Sequence, residues 1–271
     1  MRGQFIYATS RATGLRVNSI IRNTSRVLNS SAEQSDMRIE IFVYQCGKEI
    51  YKNTSYSVIK HGDFLEINEK DLPLSANVDH EGLIIVCCSR GEGSGYFPQE
   101  HQLNYESIES PSKMASVVYD QLPVISGDLA KLRPILLLAS KVWLSSKLNT
   151  YISFANSTPN QSSEKVIWDI SLFDCSGSLV QEFQLKNSEN DAHILNVKEA
   201  LKKTASFSNE IEMYTLVARG EAISSVLLTF LKDETKGNIA VEHSLSPHYY
   251  INGDFSRVRE EAFIFQKDVL L

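Results

Sequence analysis

Apolar and polar positions alternate along most of the chain, and the alternation has period two. Residues 15–25 (LRVNSIIRNTS) and 148–158 (LNTYISFANST) are both strand-like runs, closing on Asn-Thr-Ser and Asn-Ser-Thr. Each is followed by a polar loop, at residues 30–35 and 160–164. Next come residues 38–50 (RIEIFVYQCGKEI) and 168–180 (WDISLFDCSGSLV). In these, Ile39, Ile41 and Val43 alternate with other positions, as do Ile170 and Leu172. A short connection containing glycine sits inside each, which predicts a β-hairpin. Strand-like runs continue at 56–59 and 182–185, and residues 64–72 match 194–201 loosely. Residues 197–203 (VKEALKK) have the composition of a short helix, suited to crossing between sheets.

The later part of each copy predicts a hairpin, with strands at 83–88 and 96–97 in the first and at 226–231 and 239–241 in the second. Residues 213–218 form an additional strand-like run in the second copy. Glu-His-x-Leu then occurs twice, at Glu100-His101-Gln102-Leu103 and Glu242-His243-Ser244-Leu245. Many short strands separated by turns, with no long amphipathic helix, predict an all-β fold. The expected architecture is a tandem duplication of two antiparallel β-sandwiches, immunoglobulin-like or jelly-roll-like. The expected units are residues 1–122, a packed connector at 123–141, and residues 142–271. The connector carries the apolar run 135–139, so it is expected to pack, as a first strand of the second unit or as a bridge between the units.

Composition narrows the function classes. Hydrophobic residues make up 42% of the 271 and charged residues 22%, as in an ordinary globular protein. A net charge of −6 argues against a general nucleic-acid binder. No apolar run approaches the roughly 20 residues that span a bilayer. Residues 1–32 hold five arginines and no acid, superficially like a transit peptide, but the repeat assigns part of them to a strand. The expected setting is cytoplasmic, with Cys46, Cys87, Cys88 and Cys175 as free thiols. Five Asn-x-Ser/Thr sequons offer a surface-glycoprotein reading, which requires Asn23 and Asn156 to be exposed.

Candidate chemistry is sparse. Residues 91–95 (GEGSG) follow an apolar run, but Tyr96-Phe97-Pro98 comes next and begins a helix poorly, so the stretch is a turn rather than a phosphate cradle. The candidate ligand- or partner-binding residues are Glu100, His101, Glu242, His243, His248, Tyr249 and Tyr250. Of these, His101, His243 and His248 are candidate ligands for a divalent transition metal, if the two Glu-His stretches meet at the interface between the units. No nucleophile elbow, Walker loop or zinc-protease motif is present. The expected function is therefore non-enzymatic, with recognition of a protein partner or self-association. A small-ligand or metal site between the units is the alternative, and neither nucleic acid nor membrane is an expected partner.

Overall fold

The computed structural model describes residues 3–23, 36–74, 81–90, 100–110, 112–120, 122–123, 133–157, 166–188, 190–201, 207–222 and 224–243. The turn expected at 91–95, the loops at 30–35 and 160–164, and His248, Tyr249 and Tyr250 lie outside the described residues.

The described chain is nearly all β. Its strands are β1 (Gly3–Ala8), β2 (Leu15–Arg22), β3 (Met37–Gln45), β4 (Lys48–Ile59), β5 (Phe64–Asn68), β6 (Gly82–Arg90), β7 (Glu100–Ser107), β8 (Met114–Asp120) and β9 (Leu122–Pro123). They continue with β10 (Arg133–Leu144), β11 (Leu148–Ser157), β12 (Val166–Asp174), β13 (Leu179–Asn187), β14 (Asp191–Asn196), β15 (Glu212–Ala222), β16 (Ser224–Asp233) and β17 (Ile239–His243). Helix α1 (Val197–Ala200) follows β14, where the Asn196 side chain accepts from the Glu199 amide and caps the first turn.

Four antiparallel sheets result. Sheet I has the order β4-β3-β6-β1-β9, sheet II β5-β2-β7-β8, sheet III β10-β15-β12-β13, and sheet IV β14-β11-β16-β17. Read from the opposite edge, sheet III repeats the first four strands of sheet I, and sheet IV repeats sheet II. This order corrects the pairing expected from the sequence. The strand at 83–88 is β6, whose counterpart is β15, the run read as additional. Likewise β16 corresponds to β7, and β17 to β8. The two Glu-His stretches are therefore not equivalent. The first starts a central strand bonded on both sides, whereas the second ends an edge strand bonded to β16 alone. A match of three residues is too short to outweigh ladder register.

Alternating residues build the cores. Met37, Ile39, Ile41 and Val43 are buried along β3, and Val166, Trp168, Ile170 and Leu172 along β12. Each fully buried aliphatic or aromatic side chain contributes about 1.5–3 kcal/mol. In β1, by contrast, Phe5, Ile6, Tyr7 and Ala8 are all buried, so both faces of the strand are covered. One face packs on sheet II, where Phe5 and Tyr7 meet His101 of β7. The other meets sheet IV, since β1, β3 and β6 touch β11, β14 and β16. Ala155, Ala192, Val226 and Leu228 of sheet IV accordingly join the core of sheets I and II, while Ile152, Phe154 and Leu227 face sheet III. The sheets thus stack in the order II, I, IV, III. At the side of the stack β8 lies against β17, and Tyr105 meets Phe230 edge-on at 4.7 Å.

Turns follow local chemistry. Cys46 (φ 53°) and Gly47 (φ 72°) form a two-residue hairpin turn with both residues in the left-handed region. Cys46 and Cys175 are both exposed free thiols at hairpin turns. Asn23 and Asn156 are 0% and 1% exposed, so the surface-glycan expectation fails at both. The Asn23 side chain instead donates to the Ile59 carbonyl, and Asn156 accepts from Ser225. Among the described residues, no helix is long and apolar enough to cross a membrane.

Candidate functional site

The predicted residues fall in three settings. His101 is 0% exposed. Its ring lies 4.3 Å from Phe5 and 5.2 Å from Tyr7 by centroid, and Nε2 is 2.6 Å from the Ser19 hydroxyl. Burial pushes its pKa down to about 3, so it is neutral near pH 7. Glu100 is in register with Asp120 at the start of β7. On β17, His243 pairs in register with Leu228, and burial pushes its pKa down to about 4. Glu242 pairs with Thr229 and forms an ion pair with Lys141 at 2.7 Å. Among the described residues, no group of three or more His, Cys, Asp or Glu side chains is placed to hold a metal ion.

Glu242 opens onto a groove of about 360 Å³. Its walls are Lys141 and Trp143 of β10 on one side and Ala240, Val241 and Glu242 of β17 on the other, with Thr229 and Leu231 of β16 between them. The groove owes its existence to an irregularity in β10. Its pairing with β15 shifts between Ala139 and Val142, and the strand then approaches β11 and β16 of sheet IV. Such bulges bend a strand and re-aim its side chains. Beyond the bulge, the buried Thr150 hydroxyl accepts from the Trp143 amide and donates to the Trp143 carbonyl, both at 2.9 Å. Trp143 is half-buried and held in place through its own backbone. Lys141 and Glu242 are both substantially exposed, so their pair adds little stability, about 0–1 kcal/mol.

A second hollow, of about 480 Å³, lies where the two sheet pairs meet. Ala12 faces Tyr151, His193, Asn196 and Glu199 across it. Beside it, burial pushes the Glu234 carboxyl up. Hydrogen bonds from Lys198, Asn149 and Tyr151 outweigh that and hold it below the usual carboxylate range.

Among the described residues, Glu242 is the one expected from sequence that lines either opening. Lys141 and Trp143 were missed. The available signal was Lys141-Val142-Trp143-Leu144, an alternating run that sets a large aromatic on the same side as a lysine.

The fold and groove define an all-β, sandwich-like protein with an open corner. No family model matches the chain. No curated protein matches it either. Among solved structures, the chain aligns over 90% of its length with a glycosyl hydrolase family 2 member from Bacteroides cellulosilyticus DSM 14838. The identity is 10%, 28% of that chain is covered, and the TM-score is 0.17. A Bacteroides uniformis beta-glucuronidase aligns over 90% of this chain and 26% of its own at 12% identity, with a TM-score of 0.18. A lectin from Pleurotus ostreatus, in complex with GalNAc, aligns over 90% of this chain and 75% of its own at 7% identity, with a TM-score of 0.21. This chain spans about a quarter of the length of the two bacterial proteins. Scores this low carry no argument about function.

Proposed function

We propose that the protein is a non-enzymatic binding module, a duplicated sandwich of immunoglobulin-like strand pattern, that takes its partner in the β10–β17 groove. The repeated strand order supports the duplication. The observation that carries the binding reading is Trp143. Its backbone is held by Thr150, and its partly exposed side chain lines an open groove beside the Lys141–Glu242 ion pair, as an aromatic anchor for a partner would. The test is to immobilise the wild-type chain and a Trp143→Ala/Glu242→Gln variant, pass cell extract over both, and identify retained proteins and small molecules by mass spectrometry. Material held by the wild type and lost from the variant supports the reading, and equal retention contradicts it.

Self-association is the second reading. Leu179 and Met213 are about half exposed on the outer face of sheet III, where Leu179 pairs with the half-buried Phe173. Light scattering measures it directly: a discrete oligomer that becomes monomeric with Leu179→Ser/Met213→Ser supports it, and a wild-type monomer contradicts it.

A further inference from the structure

We infer that the β10–β17 groove binds a neutral carbohydrate, with the C–H face of a pyranose ring against Trp143 and adjacent hydroxyls bridging Lys141 and Glu242. This rests on the groove being the recognition site and adds the class of its ligand. The groove's charges are one ammonium and one carboxylate already in contact at 2.7 Å, so among its lining residues it presents no net charge to attract an ion. A lysine supplies only donors and an ionised glutamate only acceptors. A ligand that answers both at once, over a few ångströms, must carry groups that donate and accept together. Vicinal hydroxyls do so without adding charge, whereas a carboxylate or an ammonium answers only one of the pair.

Apart from Thr229, the remaining side chains on the groove's face are apolar. Leu231 and Ala240 line the groove with Trp143 and suit aliphatic C–H. An indole face is weakly negative, and axial C–H groups of a sugar are weakly positive, so stacking is favourable. The geometry is set in advance. Thr150 fixes the backbone of Trp143, so the strand that carries the indole is in place before a ligand enters. A groove of about 360 Å³ lies at the small end of the range for small-molecule sites, about 300–1,000 Å³. It suits one or two sugar rings rather than a long chain.

The chain holds two tryptophans, and Trp168 is 0% exposed, so ligand-dependent quenching of intrinsic fluorescence reports on Trp143. The experiment titrates the full chain with glucose, galactose, mannose, N-acetylglucosamine and their α- and β-linked disaccharides, beside inorganic phosphate and putrescine as charged controls. The expected result is a saturable change with at least one neutral saccharide and none with the controls. Trp143→Ala abolishes saccharide binding measured by calorimetry, and Glu242→Gln weakens it about ten-fold while leaving the thermal midpoint unchanged. A silent saccharide panel overturns the inference, as does sugar binding that survives Trp143→Ala. If the panel is silent while extract material is still retained by the wild type and lost from the groove variant, the carbohydrate class is wrong and the groove reading stands.

Discussion

Strands β1 and β10 occupy the same place in the strand order of their sheets and end in opposite ways. β1 stops at Ala8, and the chain turns through a 3-10 turn, Arg11–Thr13. Two buried carboxylates hold that turn. Glu81 accepts from the Thr9 hydroxyl and the Arg11 and Ala12 amides, and Glu69 accepts from the Arg11 guanidinium and the Val17 amide. β10 runs on through its bulge to Leu144, and its corner stays open with Lys141 and Trp143 on the wall. One strand order thus gives a first strand that ends in a hydrogen-bonded 3-10 turn and one that runs on to line a groove. The difference lies in where the first strand ends.

The cores diverge along the same lines. With Leu15 set against Leu148 by strand order, Ser19 and His101 of sheet II take the places of Ile152 and Leu227 in sheet IV. Ile39 beside Cys88 likewise corresponds to Trp168 beside Gly220. Gly220 is required there because a Cβ would lie 2.6 Å from the Ile167 carbonyl and 2.7 Å from the Trp168 ring. The same space is filled once by two medium side chains and once by a large and a null one.

The largest effect is expected where this complementarity is broken. Trp168→Ala should cost about 3–5 kcal/mol by urea unfolding. Gly220→Ala should cost about 1–3 kcal/mol, by forcing the ring aside.

Next is the Ser19–His101 polar pair of sheet II. His101→Leu alone leaves the Ser19 hydroxyl buried without its ring partner and should cost about 1–3 kcal/mol. Adding Ser19→Ala, which makes the pair apolar as in sheet IV, should restore most of it. The pH dependence sharpens the comparison. His101 has a folded pKa of about 3, against about 6.5 unfolded, so the unfolded chain takes up the proton first. Stability contributed by the neutral ring is therefore present above pH 6.5 and falls progressively as pH drops toward 3. The double variant should lose less stability than wild type between pH 7 and 5, measured by urea midpoints at each pH.

At the 3-10 turn, Glu81→Ala removes the acceptor for the Arg11 and Ala12 amides and should cost about 1–2 kcal/mol in the same assay. At the open corner, Trp143→Ala should cost about 1–2 kcal/mol, because the side chain is partly but not fully buried. Its larger effect belongs to binding.

Strand type and the alternating faces were legible because burial on one face writes a period of two into β2, β3 and the first half of β12. The helix at Val197–Ala200 was legible from its composition. β1 was not, because a strand buried on both faces loses its alternation, and Phe5-Ile6-Tyr7-Ala8 reads as a plain apolar run. The counterpart of β7 was misplaced because Glu-His-x-Leu is a local match, while equivalence is set by ladder partners far away in sequence. Glu242 was found for its neighbour His243, and its partner Lys141 is distant in the chain. Trp143 depends on a bulge, and a bulge is decided by which strands the chain meets, not by the strand's own residues.

Backbone hydrogen exchange of the full chain, with and without the ligand that the wild type retains, tests the central claim most directly. New protection is expected at residues 141–150 and 239–243, around the groove between β10 and β17. Protection at residues 9–15 instead, around the 3-10 turn, would contradict that claim.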